Sequence, residues 1–130
     1  MAWLRASGGG AASTPLYIPY LENGIDTNSG QGTAAGNKGY STTLSINTTD
    51  FSSLEIGSLT GSDYGGSGCP NTTLTITGDV SGTISNTTGA FSTSKSFNIS
   101  NDTVITIKLR SAYHAQNVNY TQRANNIVFS

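Results

Sequence analysis

The densest run of chemically capable side chains lies late in the chain, in Tyr113-His114-Ala115-Gln116-Asn117-Val118-Asn119-Tyr120-Thr121-Gln122-Arg123. Tyrosine presents a flat, rigid face, while glutamine, asparagine and arginine supply adaptable hydrogen bonds. Tyr113, His114, Gln116, Asn119, Tyr120 and Arg123 therefore form a candidate binding loop for a sugar or a neighbouring protein. Tyr64, in a second glycine-rich loop, joins that surface if both loops meet at one end of the fold. The competing role for these tyrosines is to close over the open end of a core.

Catalysis finds no complete set of parts. His114 is the single histidine, and no serine sits in a Gly-x-Ser-x-Gly elbow, so a nucleophilic triad has no visible members. The seven carboxylates, Glu22, Asp26, Asp50, Glu55, Asp63, Asp79 and Asp102, fall mostly in turn-forming contexts where aspartate holds backbone N–H groups. Two of them meeting in space would be the one route to a glycosidase. Asp26-Thr27-Asn28-Ser29-Gly30 opens like a calcium loop but breaks at Gly30 and lacks the closing glutamate. Neither Gly8-Gly9-Gly10 nor Gly65-Gly66 leads into a phosphate-binding Gly-Lys-Ser/Thr ending. Cys69 is the only cysteine, which excludes an intrachain disulfide and leaves it as a small residue in a turn. The expectation is a non-enzymatic chain with no cofactor and no metal.

Composition narrows the partners. Asn, Ser, Thr and Gly make up about half of the 130 residues, and only 10% are charged, well below the ordinary share. Net charge is −1, with Arg5, Lys38, Lys95, Lys108, Arg110 and Arg123 scattered, so no basic stripe tracks a phosphate backbone. No apolar run approaches the length of a membrane span. Six Asn-x-Ser/Thr triplets, starting at Asn47, Asn71, Asn86, Asn98, Asn101 and Asn119, follow from the composition. The first residues lack the apolar segment of a secretory leader.

Two segments must carry these residues. Residues 1–15 form an arm: Trp3-Leu4-Arg5 precede three glycines and Pro15, which suits an aromatic anchor on a flexible spacer. The alternative is that Trp3 packs on its own domain. Residues 16–130 form one domain, expected to be an all-β antiparallel sandwich or jelly roll of about seven to eight short strands, with a closed barrel as second choice. Leu16 to Tyr20 contains Pro19, which confines it to a sheet edge near an intersubunit or arm contact. Tyr40 to Asn47 alternates with period two, and Phe51 to Leu59 follows after a short break. Gly61 to Asn71 is expected as a loop. Thr73 to Thr77 should turn at Gly78-Asp79 into Val80 to Ser85, with a bulge at Gly82. After a turn over Asn86 to Gly89, Phe97 and Ile99 should form a second hairpin with Ile105 to Leu109, leaving Thr106, Lys108 and Arg110 in solvent. Ser111 to Arg123 is polar with two tyrosines and holds the binding loop from Tyr113 to Arg123, and Ile127 to Phe129 is expected as the last strand.

Taken together, the opening Met1-Ala2-Trp3-Leu4-Arg5-Ala6-Ser7-Gly8-Gly9, the Ser/Thr/Asn-rich strands and the closing Asn125-Asn126-Ile127-Val128-Phe129 resemble small accessory proteins of tailed-bacteriophage virions. The ending is also similar to the last strand of many carbohydrate-binding β-sandwiches. The resemblance implies a capsid-decoration, head-fibre or tail-fibre component on the particle exterior. It would attach to other virion proteins through its arm, display a β-domain outward, and work as a homo-oligomer. The alternative is an extracellular glycan-binding adhesin or receptor-binding domain using the tyrosine loop.

Overall fold

Threonine and serine alternating with leucine and isoleucine give each strand one hydroxyl face and one branched apolar face, and two such sheets bury their apolar faces together. The computed structural model describes residues 14–24, 40–63, 65–111 and 120–130. These hold β1 (Leu16–Gly24), β2 (Tyr40–Asn47), β3 (Ser53–Asp63), β4 (Gly66–Ser67), β5 (Thr72–Gly78), β6 (Gly82–Thr88), β7 (Lys95–Asn98), β8 (Val104–Ser111) and β9 (Thr121–Phe129). The first sheet runs β1-β9-β3, with β4 and β7 both pairing the outer side of β3, and the second runs β2-β8-β5-β6. Every strand pairing among the described residues is antiparallel, so the chain is an all-β sandwich. Among the described residues no helix is long and apolar enough to cross a membrane.

Leu54, Ile56 and Leu59 of β3, Leu74 and Ile76 of β5, Ile105, Ile107 and Leu109 of β8, and Ile127 and Phe129 of β9 form the core. Phe51 packs its ring 5.9 Å from that of Phe129. β2 matches its expected bounds, and β1 lies at a sheet edge, as Pro19 requires.

Several expected connections differ. The β5–β6 hairpin turns over Asp79-Val80-Ser81, because Gly78 pairs Gly82; β6 then continues through Asn86 to Thr88. The register shift falls beyond Thr77 and Thr83, leaving Ile84 as the extra residue, while Gly82 supplies a positive φ of 74° at the turn. The segment expected as a second hairpin is a crossover. β7 pairs β3 in the first sheet, whereas β8 joins β2 and β5 in the second. Ile99 is buried at the corner between them, and Asp102 is drawn toward the β5–β6 turn. β3 extends to Asp63 and β4 occupies part of the expected Gly61 to Asn71 loop. β9 begins at Thr121, so Arg123 is a strand residue.

The first sheet also breaks the simple alternation. In β9, Gln122 and Ala124 point inward, but so do Ile127 and Phe129, so the inward phase changes by one residue between them. β3 changes likewise from Leu54 and Ile56 to Leu59 and Asp63, and β1 from Ile18 to Leu21 and Asn23. The changes coincide. Ile18 pairs Ile127 and Tyr20 pairs Asn125, while Ile56 pairs Ile127 and Ser58 pairs Asn125. Pro19, Asn126 and Gly57 therefore stand in one row. Asn126 adopts φ 55°, a left-handed conformation that asparagine tolerates better than most residues. Gly57 makes room for it: a Cβ there would stand 2.9 Å from Asn126 Cβ and 3.2 Å from Asn125 O. Pro19 fixes the neighbouring edge strand without needing a backbone N–H.

Candidate functional site

The phase change creates a surface that strict alternation would not. With period two, Tyr17 and Tyr20 would face opposite sides of β1. Across the Pro19 row both face outward, at 56% and 46% exposure, while Ile18 and Leu21 pack inward. The rest of the face comes from the strands beside them.

Each ring is held. The Tyr17 hydroxyl donates to Asn126 Oδ1 at 2.8 Å, a contact available because the left-handed backbone brings the Asn126 side chain to the exposed face. The Arg123 guanidinium lies 4.5 Å from the centre of the Tyr20 ring, a cation–π contact. Arg123 Nη2 is also 3.6 Å from Glu22 Oε1, its direct partner across the strands. Asn125 Nδ2 donates to Ser58 Oγ at 3.1 Å and Thr60 Oγ1 at 2.9 Å, which fixes its amide over β3. Two aromatic faces, two side-chain amides, two hydroxyls and one compensated ion pair thus share one preorganised platform. Its Glu22 and Arg123 charges cancel.

The sandwich end expected to carry the tyrosine loops is built differently. Gly24 and Tyr40, Asp63 and Gly65, and Ser111 and Tyr120 all lie there, as the pairings of Gly24 with Thr121, Gly61 with Gln122 and Tyr40 with Ser111 require. Beneath them runs a buried polar bracket. Asn23 Nδ2 donates to Gln122 Oε1 at 3.0 Å, Gln122 Nε2 to Ser62 O at 2.6 Å, and Thr42 Oγ1 to Asn23 Oδ1 at 3.2 Å. The bracket ties β1, β9 and β3 to β2 in the other sheet. Asp63 beside it accepts from Gly65 N, Asn71 N and Thr72 Oγ1 at 2.8, 2.6 and 2.8 Å. Cys69 is buried with φ 41°, and burial followed by the nearby Asp63 charge pushes its thiol up to about 11, against a smaller opposing effect of the Thr72 hydrogen bond. The thiol stays protonated at neutral pH, which makes it a poor nucleophile.

The opposite end is locked by two aspartates. Asp79 accepts from Thr103 N, Thr103 Oγ1 and Val104 N at 2.8, 2.7 and 3.0 Å. Asp102 returns the bond, accepting from Val80 N, Ser81 N and Ser81 Oγ at 2.8, 2.8 and 2.7 Å. The Thr103 hydroxyl is the main reason Asp79 titrates below its ordinary range, and the Ser81 backbone N–H is the main reason for Asp102. Each carboxylate is occupied in joining the β5–β6 turn to the β7–β8 crossover.

Of the residues singled out in the sequence, Tyr120 and Arg123 are among those described. Tyr120 is half-buried immediately before β9, and Arg123 is exposed on β9 between Glu22 and Tyr20. Trp3, Leu4, Arg5, Tyr64, Tyr113, His114, Gln116, Asn119 and the Asp26 loop lie outside the described residues. Tyr17, Tyr20, Glu22, Asn125 and Asn126 were not singled out as a site. Two local features mark them: a proline between two tyrosines, and an Asn-Asn pair interrupting the apolar alternation of the final strand. Among the described residues no group of three or more His, Cys, Asp or Glu side chains could hold a metal ion. No family model, curated protein or solved structure matches the chain.

Proposed function

We propose that this chain is a non-enzymatic accessory module of a virion or other extracellular assembly that binds glycans on the outer face of its β1-β9-β3 sheet. The observation that carries the glycan-binding part is the shared outward orientation of Tyr17 and Tyr20, each held by a polar neighbour. A tyrosine face accepts the C–H face of a pyranose, and the amides and the Glu22–Arg123 pair accept and donate to its hydroxyls. A rigid, preformed platform loses little side-chain entropy on binding. A protein interface would need a more continuous apolar centre than two tyrosines and the half-buried Val128 provide.

The assembly part rests on the resemblance and on the anchor chemistry of Trp3-Leu4-Arg5. Several copies held on one symmetric platform would raise weak sugar contacts into useful avidity. A glycan array probed with the full chain and with Tyr20→Ala tests the binding part: signal lost in the variant supports it, and no signal from the full chain sinks it. Deleting residues 1–12 tests the assembly part. Incorporation into particles should then fall to background, and normal incorporation would reject the arm as an anchor.

A further inference from the structure

The spacing of the two tyrosines carries the glycan reading further. They are three positions apart on one strand, so their attachment points stand roughly 10 Å apart along β1 at a strand's ~3.3 Å rise per residue. That is about the length of two sugar residues in an extended β-linked pyranose chain. We propose that the ligand is a neutral, extended β-linked polysaccharide lying parallel to β1, with alternate sugars stacked on Tyr17 and Tyr20. This rests on the glycan-binding function proposed above and specifies its ligand class.

Three features of the face select that ligand. The first is direction: both rings belong to one edge strand, so the stacking sites follow one another along β1. An extended β-linked chain repeats its sugar faces along a straight axis at this spacing, whereas a helically coiled α-linked chain turns successive faces away from that axis. The second is charge. Glu22 and Arg123 are paired at 3.6 Å, and exposed Glu55 stands in the row of Tyr17 and Val128, so among the described residues the face offers no uncompensated cation to a sulfated or carboxylated glycan. The third is the polar inventory between the rings. Asn126 Oδ1 is committed to the Tyr17 hydroxyl, while its Nδ2 has no hydrogen-bond partner among the described residues and is exposed beside Gly57. A sugar bridging the two stacked units would place its equatorial hydroxyls over this amide.

Calorimetric titration of the full chain with cellohexaose, chitohexaose, cellobiose and maltohexaose tests the inference. At least one β-linked hexamer is expected to bind about tenfold or more tighter than cellobiose, and maltohexaose about tenfold or more weaker than that hexamer. Tyr17→Ala and Tyr20→Ala should each remove the hexamer's advantage, with unchanged circular dichroism showing that the variants remain folded. Equal affinity for cellobiose and the hexamers would mean a single sugar subsite, overturning the extended ligand while leaving glycan binding intact. Preference for maltohexaose would overturn the β-linked class. Absence of binding to these probes and to every glycan of the array would remove both proposals.

Discussion

The two sheets use the same residue types with different results. In the β2-β8-β5-β6 sheet, alternation holds without interruption along β8 and β5: Ile105, Ile107 and Leu109 face inward, as do Leu74 and Ile76, while Lys108 and Arg110 face out. Its exposed hydroxyls bond one another, as between Thr73 and Thr88 at 3.2 Å and Ser45 and Thr106 at 3.0 Å. The β1-β9-β3 sheet gives up alternation at the Pro19–Asn126–Gly57 row and gains two co-facing tyrosines. Uninterrupted alternation along β8 and β5 thus leaves cross-strand hydroxyl pairs at the surface, whereas one irregular row in the other sheet redistributes which side chains reach solvent.

The contrast can be broken at either sheet. Ile107→Ala, in the regular sheet, should cost about 2–5 kcal/mol in urea unfolding while leaving the sugar affinity of the remaining folded protein unchanged. Gly57→Val attacks the irregular row, where the added carbons meet Asn126 and the Asn125 carbonyl. It should cost about 1–3 kcal/mol and also weaken glycan binding, because relief of the clash moves Asn126 away from Tyr17. If binding survives Gly57→Val intact, the row does not position the platform. Asn126→Val should lose about 1–2 kcal/mol through its left-handed backbone, whereas Asn126→Gly should recover most of that stability without recovering the Tyr17 contact.

Smaller effects sharpen the comparison. Arg123→Ala should change stability by less than about 1 kcal/mol, as expected of an exposed ion pair, yet reduce glycan affinity by freeing the Tyr20 ring. Thr106→Ala on the regular sheet should alter neither. The Asp79 and Asp102 clamp joins the β5–β6 turn to the crossover that leads into β8 and predicts an acid limb. Both groups titrate below the ordinary 3.8 in the folded chain, so each favours folding above that value, and its contribution is lost as pH falls through the lower folded value. Thermal melts should therefore drop on acidification in the parent chain and flatten over the same window in Asp79→Asn and Asp102→Asn, with a lower melting point at neutral pH.

Much of the fold was legible along the chain because its causes are local. Tyr40 to Asn47 alternates cleanly and forms a strand of those bounds, and Pro19 marks an edge because it cannot donate to a second neighbour. The turn expected at Gly78-Asp79 falls one residue later, and Gly78, the last paired residue of β5, is glycine for a reason no local pattern shows: a Cβ there would collide with the Asp102 carboxylate. The partner sheet of β7 was not legible, since Phe97 and Ile99 carry the same local pattern whether they pair forward to β8 or back to β3. The candidate site was less legible still, apart from Arg123.

The sequence by itself determined the class of the fold, the strand-forming segments and the aspartate-bearing turns, because period-two burial and turn chemistry act over a few residues. Only the tertiary structure decided which strands share a sheet and which faces the tyrosines occupy. Those depend on Pro19, Asn126 and Gly57, far apart in sequence, meeting in one row where each makes the others' backbone tolerable.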